Sequence, residues 1–134
     1  MKTALITVGS TREYIDPVRY ITNESSGQQG MALIKSLIKN NFKVICLHGY
    51  LQVKPLISKK ISYIFTPNAE KMLKAAKKYK KVDLAIFNAA VADYRVENYQ
   101  KQKIKRNKNL TLKLFLIKLL INAIPCWPED SFVI

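Results

Sequence analysis

The sequence predicts an α/β protein, and two observations support this class. Short, continuous apolar runs such as Ala4–Val8 and Val82–Ala92 recur along the chain, each ended by a polar turn. Segments with apolar residues at helical spacing alternate with these runs. Continuous apolar runs are typical of parallel strands that are covered on both faces. Strands alternating with helices over short connections predict right-handed crossovers. The predicted fold is therefore a Rossmann-like parallel sheet with flanking helices.

The element boundaries follow from the same patterns. Apolar runs bounded by turn residues predict five strands: Lys2–Gly9, Lys43–Leu47, Ile61–Phe65, Val82–Ala92 and Leu110–Ile117. Amphipathic spacing predicts two helices, from about Gly27 to Asn41 and from Ala69 to Tyr79. Ser25 or Ser26 is expected to cap the first helix, and Asn68 the second. The stretches Arg12–Gln29 and Asp93–Asn109 are predicted to be polar connections.

Length and charge limit the classes of function. The chain has 134 residues, which suits one small domain or part of one. A net charge of +14 raises the hypothesis of a basic nucleic-acid-binding module or of binding to an anionic membrane. Lysine outnumbers arginine 19 to 4, however, and arginine is the residue suited to bidentate phosphate contacts. We therefore expect no dedicated nucleic-acid role, and the lysines of the second helix should form a solvated face.

The sequence also bears on compartment and metal content. It contains no apolar stretch of 18 residues and no secretory signal pattern, which predicts a cytoplasmic protein without a membrane span. Its two cysteines form no CxxC pair, and a single histidine, His48, cannot build a metal site alone. No metal ligands are predicted. Cys46 lies within an apolar run and is expected to be a core residue, whereas Cys126 lies near the chain end.

Polar segments that follow the strands are the candidates for chemistry, because ligands bind at the carboxyl ends of parallel strands. The segment Ser25–Gly30 has the spacing SSGxxG before a helix, which offers free backbone N–H groups to a phosphate. The standard dinucleotide and P-loop fingerprints are absent. A capped helix start without any ligand remains the alternative.

Two further segments carry candidate residues. Small residues at Ala89–Ala92 would let a ligand approach the backbone, and Asp93 could hold a ribose, a base or a metal-bound phosphate. Lys103, Lys105 and Arg106 could reach triphosphate oxygens. In each case a solvated loop residue is the alternative.

Taken together, these segments resemble a known family. The order and spacing of five runs are similar to those of phosphopantothenate–cysteine ligase. The runs are LITVGSTRE (5–13), IDPVRYITN (15–23), SSG (25–27) with Gly30, AAVADYR (89–95) and KIKR (103–106). In bacteria this ligase is usually the C-terminal half of a bifunctional protein that also carries a flavin-dependent decarboxylase. The resemblance covers roughly residues 2 to 115.

The resemblance implies a nucleotide-dependent ligation in coenzyme A biosynthesis. The substrates would be 4′-phosphopantothenate, L-cysteine and a nucleoside triphosphate, CTP with Mg²⁺ in most bacterial members. The reaction would pass through an acyl-nucleotide. The flavin domain lies outside this chain, so no FMN is expected on it. The family commonly dimerises, and a homodimer or a complementing polypeptide is an expected partner.

The resemblance also implies residue roles. Asn23 matches the asparagine that holds the acyl-nucleotide, and Lys103 matches the lysine near the triphosphate. The remaining matches are nucleotide contacts: Gly9, Ser25, Gly27, Gly30, Ala89 and Asp93. Ser10 stands where the family usually has Gly or Pro, a departure that would alter the first loop.

Similarity to the family is expected to end near Leu114. Residues 1–114 would form the N-terminal part of the ligase domain, and residues 115–134 a divergent tail, leaving the sheet incomplete at its C-terminal end. Three hypotheses stay open: a ligase completed by a second polypeptide, a non-catalytic truncated remnant, and the basic nucleic-acid-binding module. We expect the chain alone to show no cysteine-dependent release of CMP from CTP.

Overall fold

The computed structural model describes residues 1–117 and 132–133. Nine strands and two helices are formed within these residues. The strands are β1 (Thr3–Val8), β2 (Arg12–Tyr14), β3 (Tyr20–Thr22), β4 (Lys43–His48), β5 (Ile61–Phe65), β6 (Leu84–Phe87), β7 (Tyr94–Val96), β8 (Leu114–Leu116) and β9 (Phe132–Val133). The helices are α1 (Gln28–Lys39) and α2 (Ala69–Lys78).

A parallel sheet with the strand order β5-β4-β1-β6-β9 is the centre of the fold. Ala4 of β1 pairs with Val44 of β4 on one side and with Leu84 of β6 on the other. The pairs β4–β5 and β6–β9 are also parallel. Strand β1 is central, and its residues from Ala4 to Val8 are buried. The predicted α/β class and parallel sheet are thus confirmed.

The two helices cover opposite faces of this sheet. Ile34 and Leu37 of α1 pack with Ile6 of β1 in one core cluster. Met72 of α2 packs with Leu5 of β1 in the other. Successive side chains of a strand point to opposite faces, so the apolar run of β1 supplies both cores. The exposed lysines of α2 lie away from the core, which confirms the predicted solvated face: Lys71, Lys74, Lys77 and Lys78.

The two helices begin in different ways. Asn68 caps α2, because its Oδ1 accepts the N–H of Lys71 at 2.8 Å, as predicted. The N-cap residue of α1 is Gly27, which lacks a side chain. Gly27 has a φ of +86°, a left-handed conformation that favours glycine. The Oγ of Ser26 accepts the N–H of Gln28 at 3.2 Å, so one of the two predicted serines caps the first turn from the position before the N-cap.

Two antiparallel ribbons differ from the predicted connections. Strands β2 and β3 form a hairpin inside the stretch predicted as a polar connection. Strand β7 lies inside the second predicted connection and pairs with β8. The predicted strand Leu110–Ile117 is therefore reduced to β8 and lies outside the parallel sheet. Strand β6 also ends at Phe87, earlier than predicted. Strands β2, β3 and β7 have three residues each and are of mixed polarity, so they lack a periodic signal in the sequence.

The described part of the chain contains no helix that is both long and apolar enough to cross a membrane. Cys46 is fully buried in β4, as predicted, and burial raises the pKa of its thiol to about 12. Cys126 lies outside the described residues.

Candidate functional site

The loops that follow β1 and β6 are joined at the carboxyl edge of the sheet. The N–H of Ala90 donates to the carbonyl oxygen of Gly9 at 2.8 Å. The N–H of Thr11 donates back to the carbonyl oxygen of Ala90 at 3.2 Å. The two segments that sequence analysis proposed as separate ligand contacts therefore form one continuous backbone surface.

Two buried threonine side chains hold this backbone surface in place by hydrogen bonds. The Oγ1 of Thr7 accepts the N–H of Ala89 at 3.2 Å, and the Oγ1 of Thr11 accepts the N–H of Ala92 at 2.9 Å. Both threonines are fully buried. Neither threonine was predicted as a site residue, because Thr7 lies in an apolar strand, where threonine ordinarily indicates only β propensity, and Thr11 lies in a polar turn. They order the Ala89–Ala92 segment, which the sequence analysis proposed as a ligand contact.

Gly9 allows a close approach between the loop after β1 and the loop after β4. It has a φ of +84°. A Cβ placed there would lie 2.6 Å from the carbonyl oxygen of Tyr50. Any other residue would both strain the backbone and collide with that carbonyl. The predicted site residue Gly9 is thus required by the geometry of the loop.

Gly30 is equally constrained, inside the first turn of α1. A Cβ there would lie 2.3 Å from Cγ1 of Val8 and 3.0 Å from Oδ1 of Asn88. The helix start therefore lies directly against the end of β1. Asn88 also donates its side-chain amide to Oε1 of the neighbouring Gln29 at 3.3 Å. The glycine spacing of SSGxxG thus brings a helix N-terminus to the edge that carries Ala89.

The start of α1 is a favourable environment for an anion. Its first turn contains no acidic residue, and its N-cap residue supplies no side-chain cap. The Oγ of Ser26 accepts the N–H of Gln28, which leaves the next N–H groups of the turn for a ligand. Free N–H groups at a helix N-terminus, together with the helix dipole, favour a phosphate. Ser25 is half-buried beside this turn. Gly27, which begins the helix, is buried.

Asn23 connects the end of the β2–β3 hairpin to the loop after β6. Its Nδ2 donates to the carbonyl oxygen of Val91 at 3.0 Å and lies 3.5 Å from Oδ2 of Asp93. Asn23 and Asp93 are both exposed, so a ligand can reach them. The preceding Thr22 anchors the strand end, donating its hydroxyl to the carbonyl oxygen of Thr11 at 2.6 Å. Two residues that are 70 apart in sequence are thereby brought together.

Lys103 lies apart from the contact between Asn23 and Asp93. It is exposed, and within residues 1–117 and 132–133 its side chain forms no hydrogen bond or ion pair. It lines a cleft of about 720 Å³ together with Ile15, Ile104 and Lys105. The structure does not join the Lys103 side chain to Asn23 or Asp93 by a direct contact. The backbone of the next residue, Ile104, is instead tied to the turn after β2.

That tie is made by Asp16, which sequence analysis did not select as a site residue. Asp16 is fully buried, and its Oδ2 accepts the N–H of Ile104 at 3.0 Å. Burial raises the pKa of the Asp16 carboxyl. Hydrogen bonds from the N–H groups of Ile104 and Val18 and from Arg19 outweigh burial and lower the pKa to about 2. Asp16 and Pro17 lie in the predicted polar connection, and no local pattern predicts a partner 88 residues away.

Arg12 stabilises the hairpin that leads to these residues. Its guanidinium lies 4.1 Å from the centre of the Tyr20 ring and 3.6 Å from that of Tyr50. This arrangement packs the β2–β3 hairpin against the loop after β4. A second cleft of about 680 Å³ lies beside Arg12, Glu13 and Arg95. It is lined by none of the predicted site residues, so we place the candidate site at the glycine-rich edge.

No metal cluster is seen in the portion of the chain that the structure describes: no three His, Cys, Asp or Glu side chains come together there. Asp93 is an exposed carboxylate beside the side chain of Asn23. Mg²⁺ often binds through one or two protein carboxylates and the phosphates of the substrate. An exposed carboxylate of this kind fits a metal that arrives with a nucleotide.

Comparison with known proteins decides the family. Residues 1–125 match the DFP family, described as the DNA/pantothenate metabolism flavoprotein C-terminal domain. The chain belongs to this family. Curated proteins that are similar to the chain include two that are both named coenzyme A biosynthesis bifunctional protein CoaBC. The one from Thermococcus kodakarensis is 39% identical over 116 residues, and the one from Haemophilus influenzae is 40% identical over 111 residues.

The matches cover this DFP-family chain far more completely than they cover its relatives. The Thermococcus kodakarensis match spans 84% of this chain but 28% of the relative, and the Haemophilus influenzae match spans 81% and 27%. The chain therefore spans less than a third of the length of these curated relatives.

Solved structures of the DFP family agree with the fold. The C-terminal domain of a CoaBC protein superposes with a TM-score of 0.81 at 29% identity, covering 98% of this chain and 62% of that one. The DNA/pantothenate metabolism flavoprotein from Streptococcus pneumoniae gives a TM-score of 0.86 at 22% identity, covering 99% and 68%. This second likeness shows a common fold. The predicted family and fold are thus confirmed.

Proposed function

We propose that this chain carries a nucleotide-binding part of a phosphopantothenate–cysteine ligase site, with CTP and Mg²⁺ as the nucleotide and its metal. The observation that carries the proposal is the contact of Asn23 with Val91 and Asp93 in the loop after β6. An amide and a carboxylate lie together there, and the start of α1 reaches the same loop at Asn88. Such a grouping suits a ligand with phosphate, ribose and acyl parts.

The proposed reaction has two steps. A carboxylate oxygen of 4′-phosphopantothenate attacks the α-phosphorus of CTP, and the bond to the β-phosphate oxygen breaks, releasing pyrophosphate. The neutral amine of L-cysteine then attacks the acyl carbon of the acyl-nucleotide. The bond from that carbon to the phosphate oxygen breaks, CMP leaves, and the amine loses a proton. Negative charge builds on oxygens in both steps, so aimed donors and cations stabilise the transition states.

The chain's own residues supply such groups. The N–H groups at the start of α1, opened by Gly27 and Gly30, would bind phosphate oxygens. Gly9, Ser25 and Ala89 would border the nucleotide without obstructing it. Asn23 would hold the acyl-nucleotide, since an amide donates hydrogen bonds without adding charge. Lys103 would bring a cation to the triphosphate, and the exposed carboxylate of Asp93 would face the ribose or the Mg²⁺ carried by the phosphates.

The relatives support the same activity. The CoaBC proteins that resemble this chain are named for coenzyme A biosynthesis. A Cab2 mutant of the same fold was solved in complex with phosphopantothenate-cysteine, the compound that the proposed ligation would form. We also propose that the chain acts in the cytoplasm, and that a second copy or a complementing polypeptide contributes to the finished site.

Titration of the purified chain with Mg·CTP by calorimetry tests the proposal. We expect saturable binding that Asp93→Ala weakens and that the exposed-site control Asn109→Ala leaves unchanged. A chain that binds no CTP contradicts the proposal.

A second assay follows CMP release from CTP and 4′-phosphopantothenate with and without L-cysteine. CTP binding without cysteine-dependent CMP release would assign the chain to the non-catalytic remnant, and steeply salt-dependent DNA binding in place of CTP binding would favour the basic module.

A further inference from the structure

The carboxylate of Asp16 is surrounded by N–H donors from two distant parts of the chain. Its Oδ1 accepts the backbone N–H groups of Val18 at 2.9 Å and of Arg19 at 2.8 Å. Its Oδ2 accepts Nη1 of Arg19 and the backbone N–H of Ile104. Three of these donors lie in the local turn, and the fourth lies in the basic segment that contains Lys103. A buried carboxylate with this many donors is a fixed structural anchor.

Arg19 completes the attachment of Ile104. Its Nη1 donates to the carbonyl oxygen of Ile104 at 3.3 Å as well as to Asp16. The N–H and the carbonyl of Ile104 are therefore both held by side chains of one turn. This is the bonding that a neighbouring strand would ordinarily provide to that residue. Here the Asp16–Arg19 ion pair takes the place of the strand.

The same turn holds the basic segment at a second point. The N–H of Gln100 donates to the carbonyl oxygen of Ile15 at 3.0 Å. Residues 101–103 are thus fixed at both ends, at Gln100 and at Ile104, although their own side chains are exposed. The turn also leads through β3 directly to Asn23. One hairpin therefore connects the two parts of the candidate site that make no direct side-chain contact.

We propose that Asp16 is a positioning residue that sets where Lys103 can place its ammonium group relative to the nucleotide edge. The proposal rests on the proposed function, because it assigns Lys103 a nucleotide to contact. Lys103 has a long, flexible side chain, so its reach is defined only if its backbone is fixed. Asp16 touches neither the nucleotide edge nor Lys103 itself. Its effect is transmitted through the backbone of Ile104.

A carboxylate is required at this position for a specific reason. Its two oxygens accept four N–H donors, and both oxygens are needed. An asparagine has one acceptor oxygen, and its NH₂ group would face donors. The side chain in Asp16→Asn therefore has the same shape, but it must lose hydrogen bonds either from the turn or from the N–H of Ile104. The matched control is Asp83→Asn, since Asp83 also accepts a backbone N–H, that of Thr3 at 2.7 Å, at the opposite edge of the sheet.

The first measurement is amide hydrogen exchange on the full chain. We expect Asp16→Asn to speed exchange at Ile104 and Gln100 by roughly 10-fold, the effect of losing one hydrogen bond to a charged group. Amides of β1 and β4 should remain strongly protected, and more so than Ile104, which shows that the variant is folded. Asp83→Asn should leave Ile104 protected. Unchanged protection of Ile104 in Asp16→Asn would overturn the proposal.

The second measurement is a double-mutant cycle on Mg·CTP affinity with Asp16→Asn and Lys103→Ala. If Asp16 acts through Lys103, each single variant weakens binding by roughly 10-fold and the double variant is little weaker than Lys103→Ala alone. Fully additive losses would overturn the positioning role while leaving the proposed nucleotide site intact. A wild-type chain that binds no Mg·CTP would instead overturn the proposed function, and this inference with it.

Gln100→Pro provides a second variant in case Asp16→Asn fails to fold. It removes the N–H that reaches Ile15 at an exposed residue and leaves the Asp16 carboxylate untouched. We expect it to weaken Mg·CTP binding and to be non-additive with Lys103→Ala in the same way. Wild-type affinity in Gln100→Pro, with faster exchange at Ile104, would show that the position of the basic segment does not matter for binding.

Discussion

Asn23 donates its side-chain amide to the carbonyl oxygen of Val91 at 3.0 Å, joining segments that lie 68 residues apart in sequence. Asn23 follows the hairpin strand β3, and Val91 follows the sheet strand β6. The bond holds the exposed loop with Asp93 against the end of the hairpin. An exposed polar residue with such a distant partner suits ligand binding better than it suits core stability.

The first prediction concerns this amide. Asn23→Ala should lower cysteine-dependent CMP release by about 100-fold, the usual effect of losing one aimed donor on a developing oxyanion. The free energy of unfolding should change by less than about 0.5 kcal/mol, as for exposed residues in general. The measurement is CMP release in a mixture in which the wild-type chain supports turnover, with Asn109→Ala as the control. Ligation at the wild-type rate in Asn23→Ala would refute the role given to this side chain.

Gly30 gives a prediction about stability. A methyl group on Gly30 would lie 2.3 Å from Cγ1 of Val8, so helix α1 must move away from β1. We expect Gly30→Ala to lower the free energy of unfolding by about 1–3 kcal/mol, the range for overpacked sites, even though alanine favours helices. Urea denaturation measures this, and Ser36→Ala on the exposed face of the same helix is the control. Equal stability of the two variants would mean that the helix start has room to adjust.

The sequence predicted the central sheet well because its signals are local. Strands β1, β4, β5 and β6 of the sheet lie within largely apolar runs, and each helix has an amphipathic stripe. Neighbouring residues alone therefore define these elements. The hairpin β2–β3 carries no such pattern. It is held by Arg12 between the rings of Tyr20 and Tyr50 and by the turn at Asp16. Those contacts depend on distant segments, which is why this region was predicted as a connection.

The candidate site shows the same division. Gly30 and Asp93 were selected from local patterns at a helix start and a strand end, Asn23 was selected from the family resemblance, and the structure places Asn23 beside Asp93. Thr11 and Asp16 were not selected, although both are fully buried and bind backbone N–H groups of the site segments. A buried polar residue is recognised by its partners, which are 81 and 88 residues away. Local spacing carries no information about such partners.

The cap of α2 provides a further test of local structure. Asn68 accepts the N–H of Lys71 at 2.8 Å, and this bond satisfies one of the free donors of the first turn. Asn68→Ala should therefore lower the free energy of unfolding by about 1 kcal/mol, whereas Asn68→Asp should retain the bond and the stability. Thermal denaturation of both variants against the wild type measures the difference. Equal losses in the two variants would show that the side-chain oxygen is not what stabilises the helix start.

Cys46 should be chemically inert in the folded protein. Its thiol is fully buried, and burial raises its pKa to about 12, so the reactive thiolate is scarce at neutral pH. In a Cys126→Ser background, we expect native Cys46 to resist Ellman's reagent at pH 8 and to react at once in denaturant. The native rate should follow the opening of the sheet rather than the reagent concentration. Rapid modification of the native chain would mean that β4 is accessible in solution.

Asp16 gives a prediction about pH. The pKa of its carboxyl falls from the ordinary value of 3.8 to about 2 in the folded chain, so the folded state favours the charged form. A lowered pKa contributes stability that is fully present above the unfolded value and is lost as the pH falls through the folded value. The contribution of Asp16 to the free energy of unfolding should therefore decline between about pH 4 and pH 2.

Denaturant unfolding at pH 6 and pH 2 measures this contribution. Asp16→Asn should be clearly less stable than the wild type at pH 6. The difference should shrink at pH 2, where about half of the Asp16 carboxyl is protonated in the folded state and nearly all of it in the unfolded state. A difference that is equally large at both values of pH would mean that the charge of Asp16 does not hold the turn and Ile104 together.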